Sequence, residues 1–397
     1  MNERKVYFRE FKLRAASIWG SKTSTLKEPL VMGSQQEPQT TGVWIFKEQD
    51  AEGILTGRIT TFEGVELQPL RYSDLAGMKL DGPVNIPLNW SGARIVENDI
   101  LELSIGDMAN LRTHLESQYA NKAIGLVRGG WLPSGLALRE DMVVMPDRCT
   151  ISELASRYRD GKKTRAGEDF LDLFQGKPVR IHPGLFALEG NKRRIPTPQQ
   201  VAEQWAEASR KVRVALPEAQ LTPDSAVEGL VGLLEDMRES MARKVQFLCQ
   251  VAPRLQSPIS SRRRADIWRQ VLEAAHDCGL QRHTLVVLAA LSIVCVENGA
   301  GPAKRLIKPS RHYSAEDAYN ALADLRALEL LINFYALFPQ EQIMLCTGDK
   351  NLALFWAGIR ASGFMRGANG SVIYTLSPVE ALLPNVTPNL WEAYMSA

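Results

Sequence analysis

From residue 5 to about residue 139 the apolar positions come in short runs, VWIF (43–46), LTGRITTF (55–62) and ILELSI (100–105), separated by Gly, Pro and Asp-Gly turn signals. Short runs of β-forming residues bounded by turn residues predict strands. Residues 1–140 therefore read as a β-rich N-terminal domain. Two stretches depart from this pattern: MANLRTHLESQYA (108–120) has helical spacing, and SKTSTLKEPLVMGSQQEPQTTG (21–42) reads as a long polar loop.

Beyond Arg139 the period changes. MVVMPD (142–147) predicts a short buried strand ending in Asp147, and ISELASRYRDG (151–161) predicts a helix closed by Gly161. Residues 197–307 are mainly helical, with apolar residues recurring at three and four in VEGLVGLLEDMRESMARKVQFL (227–248) and HTLVVLAALSIVCV (283–296). A further helix runs from about Ser314 to Tyr335. QIMLCTGD (342–349) is a second apolar strand ending in Asp349, followed by the helix NLALFWAGIRASG (351–363) and a last strand, SVIYTL (371–376). Helices that follow strands predict an α/β domain from about residue 141 onward, a parallel sheet with helices on both faces.

The 397 residues leave room for two to three domains. With 45% hydrophobic and 23% charged residues, the composition excludes a disordered, collagenous or coiled-coil chain. The charge, 47 Lys+Arg against 45 Asp+Glu, excludes a strongly basic body. Basic charge is local: residues 251–312 hold 10 basic and 4 acidic groups, and residues 313–397 hold 4 and 8. Five cysteines, widely spaced and without a CxxC pair, argue against a disulfide framework and a thiolate zinc site and predict a reduced, cytoplasmic protein. The start, MNERKVYFREF, lacks an apolar signal core, and the apolar run from Leu285 to Val296 falls short of the ~20 residues that span a bilayer, so no membrane association is expected.

In parallel α/β sheets ligands gather at the carboxyl ends of strands, where Asp147 and Asp349 are expected. Each is equally well a helix N-cap. Glu189 ends an apolar run in PGLFALEGNKRR (183–194); Lys192, Arg193 and Arg194 after it are either a grip for a phosphate backbone or a solvated charge cluster. Asp317 and Asp324 stand seven residues apart on one helix face. Ser314 as N-cap explains Asp317, whereas neither capping nor the helix dipole explains Asp324, mid-helix on an apolar stripe, which makes it the better ligand candidate. Four carboxylates in one crevice repel unless a cation compensates, and hard Mg²⁺ or Mn²⁺ prefer oxygen. The five histidines form no HxxxH or HxH pair. Arg262, Arg263 and Arg264, ahead of the helix ADIWRQVLEAAHDCG (265–279), form either a basic mouth to a substrate channel or a charged loop. No P-loop, GxGxxG or GxSxG pattern is present.

Taken in order, VVMPD with Asp147 and a following helix containing SEL, LFALEG with Glu189, the late helix with Asp324 or Asp317, and LCTGDKNLALF with Thr347 and Asp349 resemble the PIN-domain nucleases over residues 141 to about 385. SVIYTLSPVEALL (371–383) is similar to that family's closing strand and helix. The 135 positions between Glu189 and Asp324 imply a large helical insertion, and residues 1–140 have no counterpart in the bare domain. The resemblance implies a PIN-like domain over 141–397, with the insertion at about 197–307, acting as a Mg²⁺- or Mn²⁺-dependent nuclease, more specifically an endoribonuclease. In it Asp147, Glu189, Asp324 (or Asp317) and Asp349 hold one or two ions, Thr347 orients Asp349 or the attacking water, and the products carry a 5′-phosphate and a 3′-hydroxyl. The implied partner is nucleic acid, RNA before DNA, with Lys192, Arg193, Arg194 and Arg262, Arg263, Arg264 as candidate contacts; a protein partner or a homo-oligomer would use the N-terminal domain. Two alternatives stand beside it. One is an inactive PIN-like module that binds nucleic acid or protein. The other is a haloacid-dehalogenase-like phosphohydrolase, disfavoured because its Asp-x-Asp-x-Thr motif would need a nucleophile where Met145 stands.

Overall fold

The computed structural model describes residues 42–50, 54–100, 104–139, 141–190, 193–297, 301–367, 371–386 and 391, so the polar loop expected at 21–42 lies almost wholly outside the described residues. The chain forms two units, Met1–Gln68 with Asn85–Ser117, and Pro69–Val84 with Gln118–Ala397. The division does not fall at residue 140.

In the first unit β1 (Gly42–Gln49), β2 (Leu55–Leu67), β3 (Val84–Asn98) and β4 (Met108–Ser117) form one sheet in that order, with β1–β2 and β2–β3 antiparallel. Along β3 the buried positions are Val84, Ile86, Leu88 and Trp90, then Ala93 and Ile95. The alternation slips by one at Gly92, whose φ of +67° glycine adopts without a Cβ clash. The helix expected at 108–120 is instead β4: Leu115 and Ser117 are buried between the exposed His114 and Glu116, a period of two. Pairing along a ten-residue strand outweighs a weak helical spacing, because propensity yields to tertiary context. Of the strand expected at 100–105, residues 101–103 lie outside the described residues and Ile105 sits in the turn before β4.

In chain order the second unit contains α1 (Tyr72–Ala76), β5 (Ile124–Val127), β6 (Gly130–Pro133), α2 (Ser134–Ala137), β7 (Val143–Pro146), α3 (Arg148–Arg157), β8 (Tyr158–Arg159), β9 (Lys162–Lys163), β10 (Arg180–Ile181) and α4 (Gly184–Glu189). It continues with α5 (Pro198–Ala215), β11 (Gln220–Leu221), α6 (Ala226–Leu255), α7 (Ser261–Asp277), α8 (Leu285–Cys295), α9 (Pro302–Ile307), α10 (Ala315–Leu337), β12 (Ile343–Thr347), α11 (Lys350–Ile359), β13 (Ser362–Arg366) and β14 (Val372–Thr375). The fold is α/β. Its sheet runs β11-β10-β7-β12-β5-β6: the first four strands are parallel, and β5 and β6 add an antiparallel hairpin at one side. Every residue of β12 is buried, as a strand between neighbours on both sides requires.

Several local expectations are corrected. The helix after Asp147 ends at Arg157; Gly161, with φ +71°, belongs with Asp160 to the turn of the β8–β9 hairpin rather than to a helix cap. The stretch 197–307 is mainly helical, as expected, from α5 to α9, and between α5 and α6 the two residues of β11 return to the sheet beside β10. Within residues 371–376, β14 does not join the main sheet but pairs with β13 as a separate ribbon, and 377–383 form no closing helix, being irregular to 379 and turns from 380. Helix α7 begins at Ser261, so Arg262–Arg264 occupy its first turn and not a loop before it. All eleven residues of α8 are buried, which makes that apolar run a core helix. No helix among the described residues is long and apolar enough to cross a membrane.

Candidate functional site

Strands β7 and β12 run side by side, and each delivers an aspartate at its carboxyl end. Asp147 caps α3: its Oδ1 accepts from the Thr150 amide at 2.7 Å, and its own amide donates to the Cys346 carbonyl at 2.9 Å. The buried Thr150 hydroxyl donates to the same carbonyl at 2.9 Å. Asp349 caps α11 through Oδ1 alone, which accepts from the amides of Asn351 (2.6 Å) and Leu352 (3.3 Å). Between them Thr347, fully buried, donates from Oγ1 to Asp147 Oδ2 at 2.6 Å and accepts from the Asp349 amide at 3.0 Å. Capping and site placement are thus not exclusive. The cap fixes the rotamer, and the strand end fixes the location.

Two further carboxylates come from helices. Glu189 is the last residue of α4, and Asp324 lies in the middle of α10. What holds these helices together is a buried arginine that the sequence reading did not single out. Arg326, two residues beyond Asp324 and 2% exposed, donates from Nη2 to the Leu188 carbonyl at 2.6 Å. The Tyr319 hydroxyl donates to the Glu189 carbonyl at 3.2 Å. The signal available in the sequence was an arginine inside the apolar stripe of a helix, where a charge is rarely buried without a partner.

Asp147, Glu189, Asp324 and Asp349 line one cavity of about 80 Å³ together with Cys149, Arg326 and apolar groups that include Leu185, Leu188 and Leu352. The electrostatics record the crowding. Burial, then the charges of Asp349, Glu189 and Asp147, push Asp324 up to about 7, with Lys308 opposing. Burial and then Asp147 raise Glu189, against Arg148 and Arg326. Burial raises Asp147, chiefly against its bond from Thr347. The Cys149 thiol is pushed up to about 11 by partial burial and by all four acids, so it stays protonated at neutral pH.

The other candidates lie elsewhere. Asp317 closes a capping box with Ser314, its Oδ2 accepting from the Ser314 amide at 3.0 Å and hydroxyl at 2.8 Å, which lowers its pKa; it does not line the cavity. Lys192 lies outside the described residues. Arg193 and Arg194 are exposed, and Arg194 borders a separate groove with Gly190, Gln200 and Gln204. Arg262 and Arg263 are exposed and Arg264 approaches Glu297 at 3.6 Å; none of the three lines the acid cavity.

In chemistry the donor set suits a hard divalent cation, because such an ion prefers carboxylate oxygens and displaces protons from those, Asp147, Glu189 and Asp324, whose proton affinity is raised. In spacing it is open: among the described residues no three His, Cys, Asp or Glu side chains are gathered into a group that would hold a metal ion as they stand. Comparison with family models, with curated proteins and with solved structures finds no match for this chain.

Proposed function

We propose that the protein is a PIN-like, metal-dependent nuclease that hydrolyses phosphodiester bonds, with single-stranded RNA as its first substrate class. The observation that supports this most is the convergence of four carboxylates, from two strand ends and two helices, on one small cavity. A structural role would separate these charges; here the proton affinities of Asp324, Glu189 and Asp147 are raised, first by burial and then by neighbouring acids. In this reading Asp147, Glu189, Asp324 and Asp349 hold Mg²⁺ or Mn²⁺. When bound, such an ion supplies an activated water and neutralises charge on the leaving oxygen. The chain's own groups do the positioning: Thr347 fixes the Asp147 carboxylate, Arg326 fixes the end of α4 that carries Glu189, and the two N-caps hold the aspartates in single rotamers.

The open spacing of the acids favours a second reading, an inactive module of the same fold that binds nucleic acid without cutting it. One assay separates them. Pure protein is incubated with labelled RNA and DNA in Mn²⁺, Mg²⁺ or EDTA; cleavage in metal that EDTA and Asp349→Asn both abolish is the expected result. Binding without cleavage in any metal would replace the nuclease by the module.

A further inference from the structure

Gln200, Glu203, Gln204 and Glu207 recur at three and four along α5, share one face, and line a groove of about 170 Å³ together with Gly190 and Arg194. The chain ties this groove to the acid cavity at two points. Gly190 follows Glu189 directly, and Arg148, which follows Asp147, donates from Nη1 to Gln204 Oε1 at 3.2 Å. The Arg148 guanidinium is itself held over the Phe186 ring, 4.2 Å from its centroid.

Both glutamines are oriented by their partners. A guanidinium and a backbone amide only donate, so the glutamine atom that meets each is the oxygen. Gln204 gives Oε1 to Arg148, and Gln200 gives Oε1 to the Thr197 amide at 3.0 Å in the capping box of α5. Each Nε2 is left without a partner among the described residues. Gln204 is only 6% exposed, so the groove it lines is where its Nε2 finds an acceptor. The acids repeat the arrangement with opposite sign. Glu203 Oε1 accepts from Gln199 Nε2 at 2.8 Å and Glu207 Oε1 from Lys211 Nζ at 2.6 Å, while the second oxygen of each has no partner among the described residues.

The groove thus offers N–H donors from Gln200, Gln204 and Arg194 and carboxylate acceptors from Glu203 and Glu207. The carboxylates oppose a phosphate and the donors oppose a cation. What suits both is a flat, neutral group with acceptors and donors on neighbouring edges, as a nucleobase has. Among the four RNA bases guanine sets two N–H donors, at N1 and N2, side by side for a carboxylate, and it carries two acceptors, O6 and N7, for amide or guanidinium donors. A cavity of about 150 Å³ holds a benzene ring, so a groove of this volume with exposed Arg194 and Glu203 at its border admits a base.

We infer that this groove is a guanine subsite, taking the base of a nucleotide that neighbours the bond presented to the acids. Placing that base in a strand rests on the nuclease reading; the recognition of guanine does not.

The test is fluorescence anisotropy with two short labelled single-stranded RNAs in Mn²⁺, one all uridine and one with a single central guanosine. Full-length protein carrying Asp349→Asn is the parent, so that the strands stay intact. The guanosine strand is expected to bind the parent about fivefold tighter or more. Gln200→Glu and Gln204→Glu are then added together. Each keeps its structural partner, since glutamate also completes a capping box and also accepts from Arg148, and each replaces the donor in the groove by an acceptor. The preference for guanosine is expected to fall to within about twofold, whereas Arg262→Gln with Arg263→Gln should leave it unchanged. The added negative charge weakens both strands alike, so the ratio of affinities is the readout. Should the pair fail to fold by circular dichroism, Gln200→Glu alone, at the half-buried position, is read in its place. Equal affinity of the parent for the two strands, or a preference that survives in the folded variant, overturns the subsite even where wild type cleaves RNA. A preference that the substitutions remove while wild type cuts nothing keeps the subsite and overturns the nuclease. A parent that binds neither strand overturns the subsite.

Discussion

Thr347 and Asp147 are 200 positions apart in the chain and 2.6 Å apart in space, hydroxyl to carboxylate. Since the same hydroxyl accepts from the Asp349 amide, one buried side chain ties both strand-end aspartates into a single unit. The position calls for a group that donates and accepts at once in a fully buried place, and threonine also suits the β12 backbone.

Thr347→Val keeps the volume and removes the hydroxyl. It leaves a carboxylate oxygen and an amide without their partner, and it is expected to cost about 1–3 kcal/mol in denaturant unfolding. The Asp147 proton affinity, which the bond from Thr347 lowers, rises further, so cleavage by the variant should need higher pH or more metal. Thr347→Ser should recover most of both. If valine and serine variants prove equally active and equally stable, the tie is incidental.

Asp317 and Asp324 share a helix and differ in consequence. Asp317→Asn is expected to lose about 1 kcal/mol or less through the capping box, with cleavage unchanged. Asp324→Asn should abolish cleavage and raise the metal-free melting temperature at pH 8, since an ionised carboxylate is removed from a crowd of its kind. The opposite pairing of effects would move the ligand to Asp317.

Arg326→Met tests the bolt between α10 and α4. The Leu188 carbonyl loses its charged donor and Glu189 loses a neighbouring cation, so the variant should unfold about 1–3 kcal/mol more easily, with the deficit larger at pH 8 than at pH 5. Arg326→Lys should recover part of the charge effect and little of the hydrogen bonding. A methionine variant of wild-type stability at both pH values would show that the α10–α4 contact does not depend on this arginine.

The two strand–acid–helix units, Val143–Arg157 and Ile343–Ile359, were legible in the sequence because a short apolar run, an Asp and a helix with buried positions follow directly on one another along the chain. Asp324 was legible too, since a mid-helix carboxylate in an apolar stripe has no local explanation. What was not legible is held together over long distances. The strands β10 and β11 are two residues each, too short for any period, and exist because the sheet presents an edge to them. The hairpin β5–β6 has ordinary strand character, and nothing local says that Ile124 will pair with Thr347 and leave the first sheet. Met108–Ser117 carries a spacing compatible with both periods, and its neighbours decide. Arg326 is invisible as a bolt until Leu188, 138 positions earlier, is seen beside it.

In the absence of metal, the buried acids make the protein's stability depend on pH. Asp324 has a folded pKa of about 7 against an ordinary value of 3.8. Between these values the native protein holds a proton that the unfolded chain has released, so stability falls as pH rises through that window and levels off above it. Glu189 and Asp147 are raised as well and act in the same direction. In EDTA the melting temperature should therefore decline from about pH 4 to pH 7, by an amount worth roughly 2–4 kcal/mol for Asp324. Asp324→Asn should flatten the decline. Millimolar Mn²⁺ should restore stability at pH 8 and do little at pH 5, because protonated acids bind no cation. Metal affinity, read from the Mn²⁺ dependence of the melting temperature, should climb with pH and level off above pH 7. A wild-type profile that is flat in EDTA would show that the four acids are not coupled in the folded protein. A Mn²⁺ effect equal at pH 5 and pH 8, or retained in Asp324→Asn, would place the ion somewhere other than this cavity.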